Sequence, residues 1–310
     1  FGENPLNSIN SNRSLPILAL LHGLPIYENG WNIFTPYSDP FRDIKQLIPE
    51  SIIVPTASRG VFLANEMQAP SVVFVPNRQL LSVLAEISRS PEELLFPLVL
   101  VVEDHPFVAP NVQPRQLLCE SDLISLEPCN ATESEFIGLA ARRMSASTKR
   151  AVAVIFHHGL LGAAASIVET PIQDLPSTRL HGETSDPIRL SRRLELNRQR
   201  TLPSPGERGS VGFITVGLAD TSLRYLVSEL RLLGRVPTLN VRLVSPLDDV
   251  PIKRLLTRCH NLVVLEPRPG EIETKVIAIA EQMRRDGEEV ALVWGRELPP
   301  VDPEHDPMQV

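Results

Sequence analysis

The chain has 310 residues, of which 43% are hydrophobic and 22% charged, the balance of a globular chain long enough for one large domain or two ordinary ones. Its net charge of −7, from 30 Lys plus Arg against 37 Asp plus Glu, counts against a protein that tracks nucleic-acid phosphates. No apolar run reaches the ~18 residues of a spanning helix, which argues against a membrane protein.

The chain opens on Phe1 instead of Met, as a fragment or processed product would. Its first fourteen residues are polar and lack the pattern of a signal peptide. Leu15–Leu21 (LPILALL) reads as a buried strand. Val72–Val75 is a strand, and Gln79–Ile87 after it has helical spacing. Leu98–Val102 (LVLVV) shows no polar alternation, so it reads as a strand buried on both faces. Leu123–Leu126 is a short strand that runs into a helix over Thr132–Met144, with Thr132 and Glu135 spaced as a capping box. Ala151–Phe156 is again wholly apolar. This alternation predicts a mostly parallel sheet covered by helices on both faces.

Glu169–Arg208 is rich in proline and charge. Its run Arg189–Arg200 (RLSRRLELNRQR) reads as a solvated helix without a core-facing stripe, so the segment reads as an inter-domain linker. The alternation then resumes. Ser210–Val216 is a strand, and Asp220 or Thr221 caps a helix that reaches Leu233 and stops at Gly234. Val236–Leu243 is a strand. Asp248 or Asp249 caps a helix with Pro251 in its first position. Asn261–Leu265 is a strand, Pro269–Met283 a helix, and Glu288–Val293 a last strand. The expected division is 1–168, a linker at 169–209, a second domain at 210–300 and a tail at 301–310. The fold class is α/β: two three-layer αβα domains with mostly parallel sheets.

Cys119, Cys129 and Cys259 lie far apart, with no C-x-x-C. That leaves no basis for a disulfide framework or a cysteine-ligated cluster, and the usage fits a reducing, cytoplasmic setting. The dinucleotide fingerprint G-x-G-x-x-G is absent, which sets aside a plain nucleotide-binding protein.

The order of segments in the second half resembles the transketolase-C-type domain of 2-oxoacid:ferredoxin oxidoreductases. It is most similar to the alpha subunit of indolepyruvate ferredoxin oxidoreductase. The matching slots are Gly212–Gly217, Ser245–Leu247, Val263–Glu266, Glu273 and Gly295–Arg296. The first half resembles the pyrimidine-binding (Pyr) domain of the same family. NIFTPYSDPFRDI (32–44) is similar to its T-P-x-S segment, Ala57–Ala64 to its small-residue helix, and LVLVVEDHPF (98–107) to the strand after it.

The resemblance implies a thiamine-diphosphate-dependent oxidative decarboxylation of a 2-oxoacid, with the cofactor supplying the carbanion chemistry. It places Thr35, Pro36 and Ser38 on the substrate side. It also implies a separate PP-domain chain for the diphosphate and Mg, and an iron–sulfur protein, within a homo- or hetero-oligomer. Two departures limit what this chain does alone. Counting back from Val72 to the family's ring-activating glutamate lands on Ile53–Thr56, which holds no carboxylate, and the metal motif of a PP domain is missing. The lone chain is therefore expected to bind no thiamine diphosphate. No residue of it is assigned as catalytic or as a metal ligand, and a catalytically silent assembly or regulatory paralogue is the alternative.

Outside the resemblance, Glu103, Asp104 and His105 follow a buried strand as a carboxylate–imidazole cluster suited to acid–base work. His157 and His158 end another such strand, where sites of α/β proteins gather. Glu266 and Glu271 read as surface or interface carboxylates.

Overall fold

A computed structural model describes residues 16–24, 31–36, 48, 51–90, 93–105, 107, 112–161, 184–204, 206–268 and 270–296. The chain divides into two compact units, Phe1–Asn197 with Arg242–Leu247, and Arg198–Val241 with Asp248–Val310. Among the described residues no helix is long and apolar enough to cross a membrane.

The first unit is built on β1 (Asn32–Pro36), β2 (Ile52–Val54), β3 (Ser71–Val75), β4 (Leu98–Asp104), β5 (Ile124–Leu126), β6 (Val152–His157) and a late strand, Leu243–Ser245. Their spatial order is late strand, β5, β6, β4, β3, β1, β2, and every pairing is parallel except the one between the late strand and β5. All residues of β3 and β4 are buried, as unbroken apolar runs in a doubly covered parallel sheet must be. Each fully buried valine or leucine contributes about 1.5–3 kcal/mol.

Helix positions follow from strand order. The connections β2 to β3, β3 to β4 and β4 to β5 all step in one direction, so right-handed crossovers put their helices on one face. These are α2 (Ala57–Met67), α3 (Leu80–Ile87) and α4 (Pro114–Glu120), and Ala57, Val61, Ala64, Leu80, Val83 and Leu118 join one core with β1, β3, β4 and β6. The return step from β5 to β6 puts α5 (Ser134–Thr148) on the opposite face, packed on α1 (Pro16–Gly23). Ser145 of α5 ties the layers together, since its hydroxyl accepts from Leu98 N at 2.9 Å.

Three sequence expectations change here. Leu15–Leu21 is helix α1, not a strand, because so short an apolar run has no period to separate the two. It lies so close to α5 that a Cβ on Gly138 would stand 2.2 Å from the Leu20 carbonyl oxygen. Asn130, not Thr132, caps the start of α5. Its side chain accepts from Glu133 N at 3.0 Å, and a 3₁₀ turn over Ala131–Glu133 precedes Ser134. The run Arg189–Arg200 does have a core-facing side. It forms α7 (Pro187–Arg193), after a short α6 (His158–Leu161), and β7 (Arg198–Arg200), and Leu190, Leu194 and Leu196 are buried.

The second unit has a five-stranded sheet of β7, β8 (Gly209–Val216), β9 (Thr238–Val241), β11 (Cys259–Leu265) and β12 (Leu292–Trp294). The order is β12-β11-β8-β9-β7, parallel except for β7 against β9. The late strand Leu243–Ser245 of the first unit is thus β10. By the same handedness rule α8 (Leu218–Glu229) lies on one face, with α9 (Asp249–Arg258) and α10 (Glu271–Arg285) on the other.

The single strand expected over Val236–Leu243 is therefore two strands in two sheets, divided at buried Arg242. Helix α8 ends before Gly234: Arg231 takes φ +55°, and Leu232 N donates to Val227 O at 2.7 Å, closing the end as a Schellman motif. Asp248 caps α9 by accepting from Val250 N at 3.1 Å, which puts Pro251 in the third position and not the first. The last strand is shorter than expected, Leu292–Trp294.

Candidate functional site

Strands β4 and β6 are neighbours whose chains leave in opposite directions. After β4 the chain goes to α4 on one face of the sheet; after β6 it goes to α6, which packs on α1 on the other. Such a divergence is a topological switch point, and in open α/β sheets the crevice at the carboxyl ends of the two strands there is the place where ligands bind. Glu103, Asp104 and His105 stand on one side of it and His157 and His158 on the other, with Glu103 in register with Phe156 and Asp104 with His157.

The imidazoles form a stack. The His105 and His158 rings lie 4.7 Å apart between centroids, those of His157 and His158 4.4 Å apart, and Phe107 meets both His105 and His158 edge-on. The His157 ring is oriented by Gly159 N, which donates to its Nδ1 at 3.1 Å.

Glu103 is 2% exposed. Its Oε2 accepts from Asn77 N at 3.2 Å, and the Asn77 amide also donates to the His105 carbonyl at 3.3 Å. Burial pushes the Glu103 carboxyl above its ordinary range, against the opposing pull of the Asn77 N–H, His105 and Arg78. A buried carboxyl with a raised pKa beside an imidazole is an acid–base pair in chemical capability.

Asn77 is the residue that sequence reading missed. It follows β3 through Pro76 and is wholly buried, so it crosses from one strand end to the next. The only signal was an amide directly after an apolar strand and a proline. Asn77 Oδ1 and His105 Nδ1 are buried and have no hydrogen-bond partner among the described residues.

Thr35 and Pro36 end β1, separated from the β4 cluster by β3. The geometry therefore does not bring them together with Glu103, Asp104 and His105. Thr35 is 3% exposed, and its hydroxyl too has no partner among the described residues. Ser38 lies outside the described residues.

Opposite Thr35 in the register is Ile53. Strand β2 then ends at Val54, and Thr56 caps α2 with its hydroxyl accepting from Arg59 N at 3.3 Å, while Gln79 Oε1 accepts from Ala57 N at 2.6 Å. No Asp or Glu occurs from Ser51 to Asn65. The residues present at this strand end do not fit a carboxylate that activates the thiamine ring. Among the described residues no group of three or more His, Cys, Asp or Glu is arranged to hold a metal ion.

In the second unit the residues quoted for the C-type domain do meet. Glu266 is no loose surface carboxylate, since its Oε1 accepts from Gly270 N, Ile272 N and Glu273 N at 3.3, 3.1 and 2.9 Å and so caps α10. Glu273 in turn accepts from Arg296 N at 3.2 Å, and a Cβ on Gly295 would stand 2.2 Å from its carboxyl carbon. These spaced acidic and glycine positions lock a helix to the following strand; their chemistry is structural.

No protein-family model matches the chain, and no curated protein does. Solved structures do. The chain is similar to a 2-oxoglutarate:ferredoxin oxidoreductase from Magnetococcus marinus, solved with 2-oxoglutarate, coenzyme A and succinyl-CoA bound. The identity is 13% and the TM-score 0.58, over 91% of this chain and 61% of that one. It is also similar to a split-gene transketolase solved as an inactive β4 tetramer, with 13% identity and a TM-score of 0.57 over 93% of this chain and 90% of that one. The chain thus spans 61% of the length of the ferredoxin oxidoreductase chain. The likeness establishes the fold: a mixed α/β chain with two mostly parallel sheets, as in these two thiamine-enzyme architectures.

Proposed function

We propose that this chain is the Pyr-type plus transketolase-C-type portion of a thiamine-diphosphate-dependent 2-oxoacid:ferredoxin oxidoreductase, of the indolepyruvate or pyruvate-like kind. A separate PP-domain chain would hold the diphosphate and Mg, an iron–sulfur protein would take the electrons, and the assembly would work in the cytoplasm. The observation that carries the reading is the likeness in fold to the 2-oxoglutarate:ferredoxin oxidoreductase over 91% of this chain. In this reading Thr35, Pro36 and Ser38 stand on the substrate side, and Glu103, Asp104 and His105 supply a titratable edge.

A second reading has its own support. Val54, Pro55 and Thr56 close β2 without a carboxylate, and the Thr56 hydroxyl already caps α2. Such a strand end offers the cofactor ring no activating carboxylate, which supports a catalytically silent paralogue acting as an assembly or regulatory subunit.

Two measurements test the readings. Calorimetric titration of the purified chain with thiamine diphosphate and Mg is expected to give no saturable heat; saturable binding refutes the reading that the lone chain holds no cofactor. Co-expression with a chain carrying the GDG…N thiamine motif then separates the two. A complex that reduces a ferredoxin or viologen in a 2-oxoacid-dependent way supports the enzyme portion. A complex without that activity supports the silent subunit, and failure to form any complex overturns both.

A further inference from the structure

Helix α8 leaves an amphipathic surface uncovered. Its inner side is set by Leu223 and Val227, which are buried and face β8. Tyr225, Leu226, Leu230 and Leu233 are instead 66%, 55%, 65% and 62% exposed. Leu226 and Leu230 stand one turn apart on one flank, and Tyr225 points straight outward, opposite the buried side. Single exposed leucines are ordinary on a protein surface, but Tyr225 and Leu226 on the helix, Leu230 at its cap and Leu233 in the turn after it crowd four large apolar side chains into one short stretch, which marks an interaction face.

The other flank is basic. Arg224 falls on it by helical geometry, and Arg231, in the left-handed conformation just past the helix end, and Arg235 follow in the turn. All three are exposed, and among the described residues none of their guanidinium groups is in an ion pair or a side-chain hydrogen bond. Cations near a helix C-terminus gain from its dipole, but that explains neither the leucines nor three unpaired charges in a chain of net −7.

We infer that this face docks a partner protein bearing an acidic, leucine-containing amphipathic helix. The leucines would seat its apolar stripe and the arginines its carboxylates. Charge decides against a second copy of this chain. A two-fold contact would set three guanidinium groups from each copy against each other, with Glu229 as the one carboxylate each copy brings from this stretch of the helix. The inference rests on unit two alone and stands whether or not the chain serves a thiamine enzyme.

The test uses the full chain and two fluorescein-labelled helical peptides of identical leucine pattern, one with glutamate and one with lysine on the polar side, followed by fluorescence anisotropy. The glutamate peptide is expected to bind, with affinity falling as salt rises, and the lysine peptide is not. The variant L226S/L230S, at exposed positions and checked for an unchanged melting temperature, should weaken binding by roughly tenfold or more. The variant R224E/R231E/R235E should reverse the preference between the peptides. Equal binding of the two peptides, no binding of either, or indifference to both variants overturns the inference. So does sedimentation showing a concentration-dependent dimer of the chain that L226S/L230S abolishes, because the face would then belong to a second copy.

Discussion

Two acidic groups of the first unit, Glu103 and Glu133, are withdrawn from water and held in opposite ways. Glu133 receives Arg242, whose Nε donates to its Oε2 at 2.8 Å and whose second terminal nitrogen donates to Oε1, while the first terminal nitrogen donates to the Leu196 carbonyl at 2.8 Å. Burial raises the Glu133 carboxyl, but the hydrogen bonds and charge of Arg242 outweigh it and leave the group below its ordinary range. Nearby, Arg115 and Glu127 make a second bidentate pair, both buried. Among the described residues Glu103 accepts a backbone N–H, that of Asn77, and no side-chain hydrogen bond, and its carboxyl pKa is raised. The fold hydrogen-bonds guanidinium groups to the carboxylates that must stay ionised and still, whereas at the switch point Arg78 acts on Glu103 through its charge alone and burial prevails.

The comparison breaks most visibly at Arg242. Arg242→Met removes the cation and leaves the Glu133 carboxylate with the Cys129 thiol but no charged partner, and the Leu196 carbonyl without the arginine donor. The expected loss is about 3–5 kcal/mol of unfolding free energy, read by urea denaturation. Arg242→Met with Glu133→Gln should recover part of it, since no unpaired charge then remains. A single-variant loss under about 1 kcal/mol would mean the pair is as dispensable as a surface bridge.

The pH dependence sharpens the contrast, because the two shifts have opposite sign. The Glu133 pKa is lowered on folding, so its contribution is complete above the unfolded carboxylate value of about 4.3 and is lost as pH falls through the folded value. The Glu103 pKa is raised, so its stabilising effect is present below the unfolded value and is lost as pH rises through the folded one. Glu103→Gln should therefore flatten the decline on the neutral side of the carboxylate range and leave the acid limb alone. At neutral pH it should stabilise the chain, because the buried group no longer has to give up its proton. Unfolding free energies measured from acid to neutral pH decide it. An unchanged neutral limb would place the titration elsewhere.

Much of this layout was legible in the sequence, and the gaps have physical causes. The strands LVLVV and AVAVIF announced themselves because burial on both faces removes all polar alternation, and the C-type slots were readable because Glu266, Glu273 and Gly295 do local structural work at fixed spacing. Helix α1 was not legible, since only its packing on Gly138 distinguishes it from a strand. Nor was the division at Arg242, because an arginine between VPTLNV and LVS reads as an edge residue until its carboxylate, distant in sequence, is known. Asn77 escaped for the same reason: its partners are on β4, and nothing local in VPNRQ names them. What sequence patterns carry is burial and local capping; polar pairs distant in sequence are set by topology.

The smallest expected effect is at Thr35, which separates a structural edge from a poised one. Its hydroxyl is buried without a partner among the described residues, and an orphaned polar group in such a place costs about 1–3 kcal/mol. Thr35→Val keeps the shape and removes the hydroxyl, so the isolated chain should gain about 1 kcal/mol by thermal or urea denaturation. A loss instead would show that the hydroxyl is already satisfied, and Thr35 would then belong with Glu133 among the groups the fold holds fixed. If the gain appears in the isolated chain while the same variant weakens a complex with a chain carrying the GDG…N thiamine motif, the hydroxyl is being held open for something outside this polypeptide.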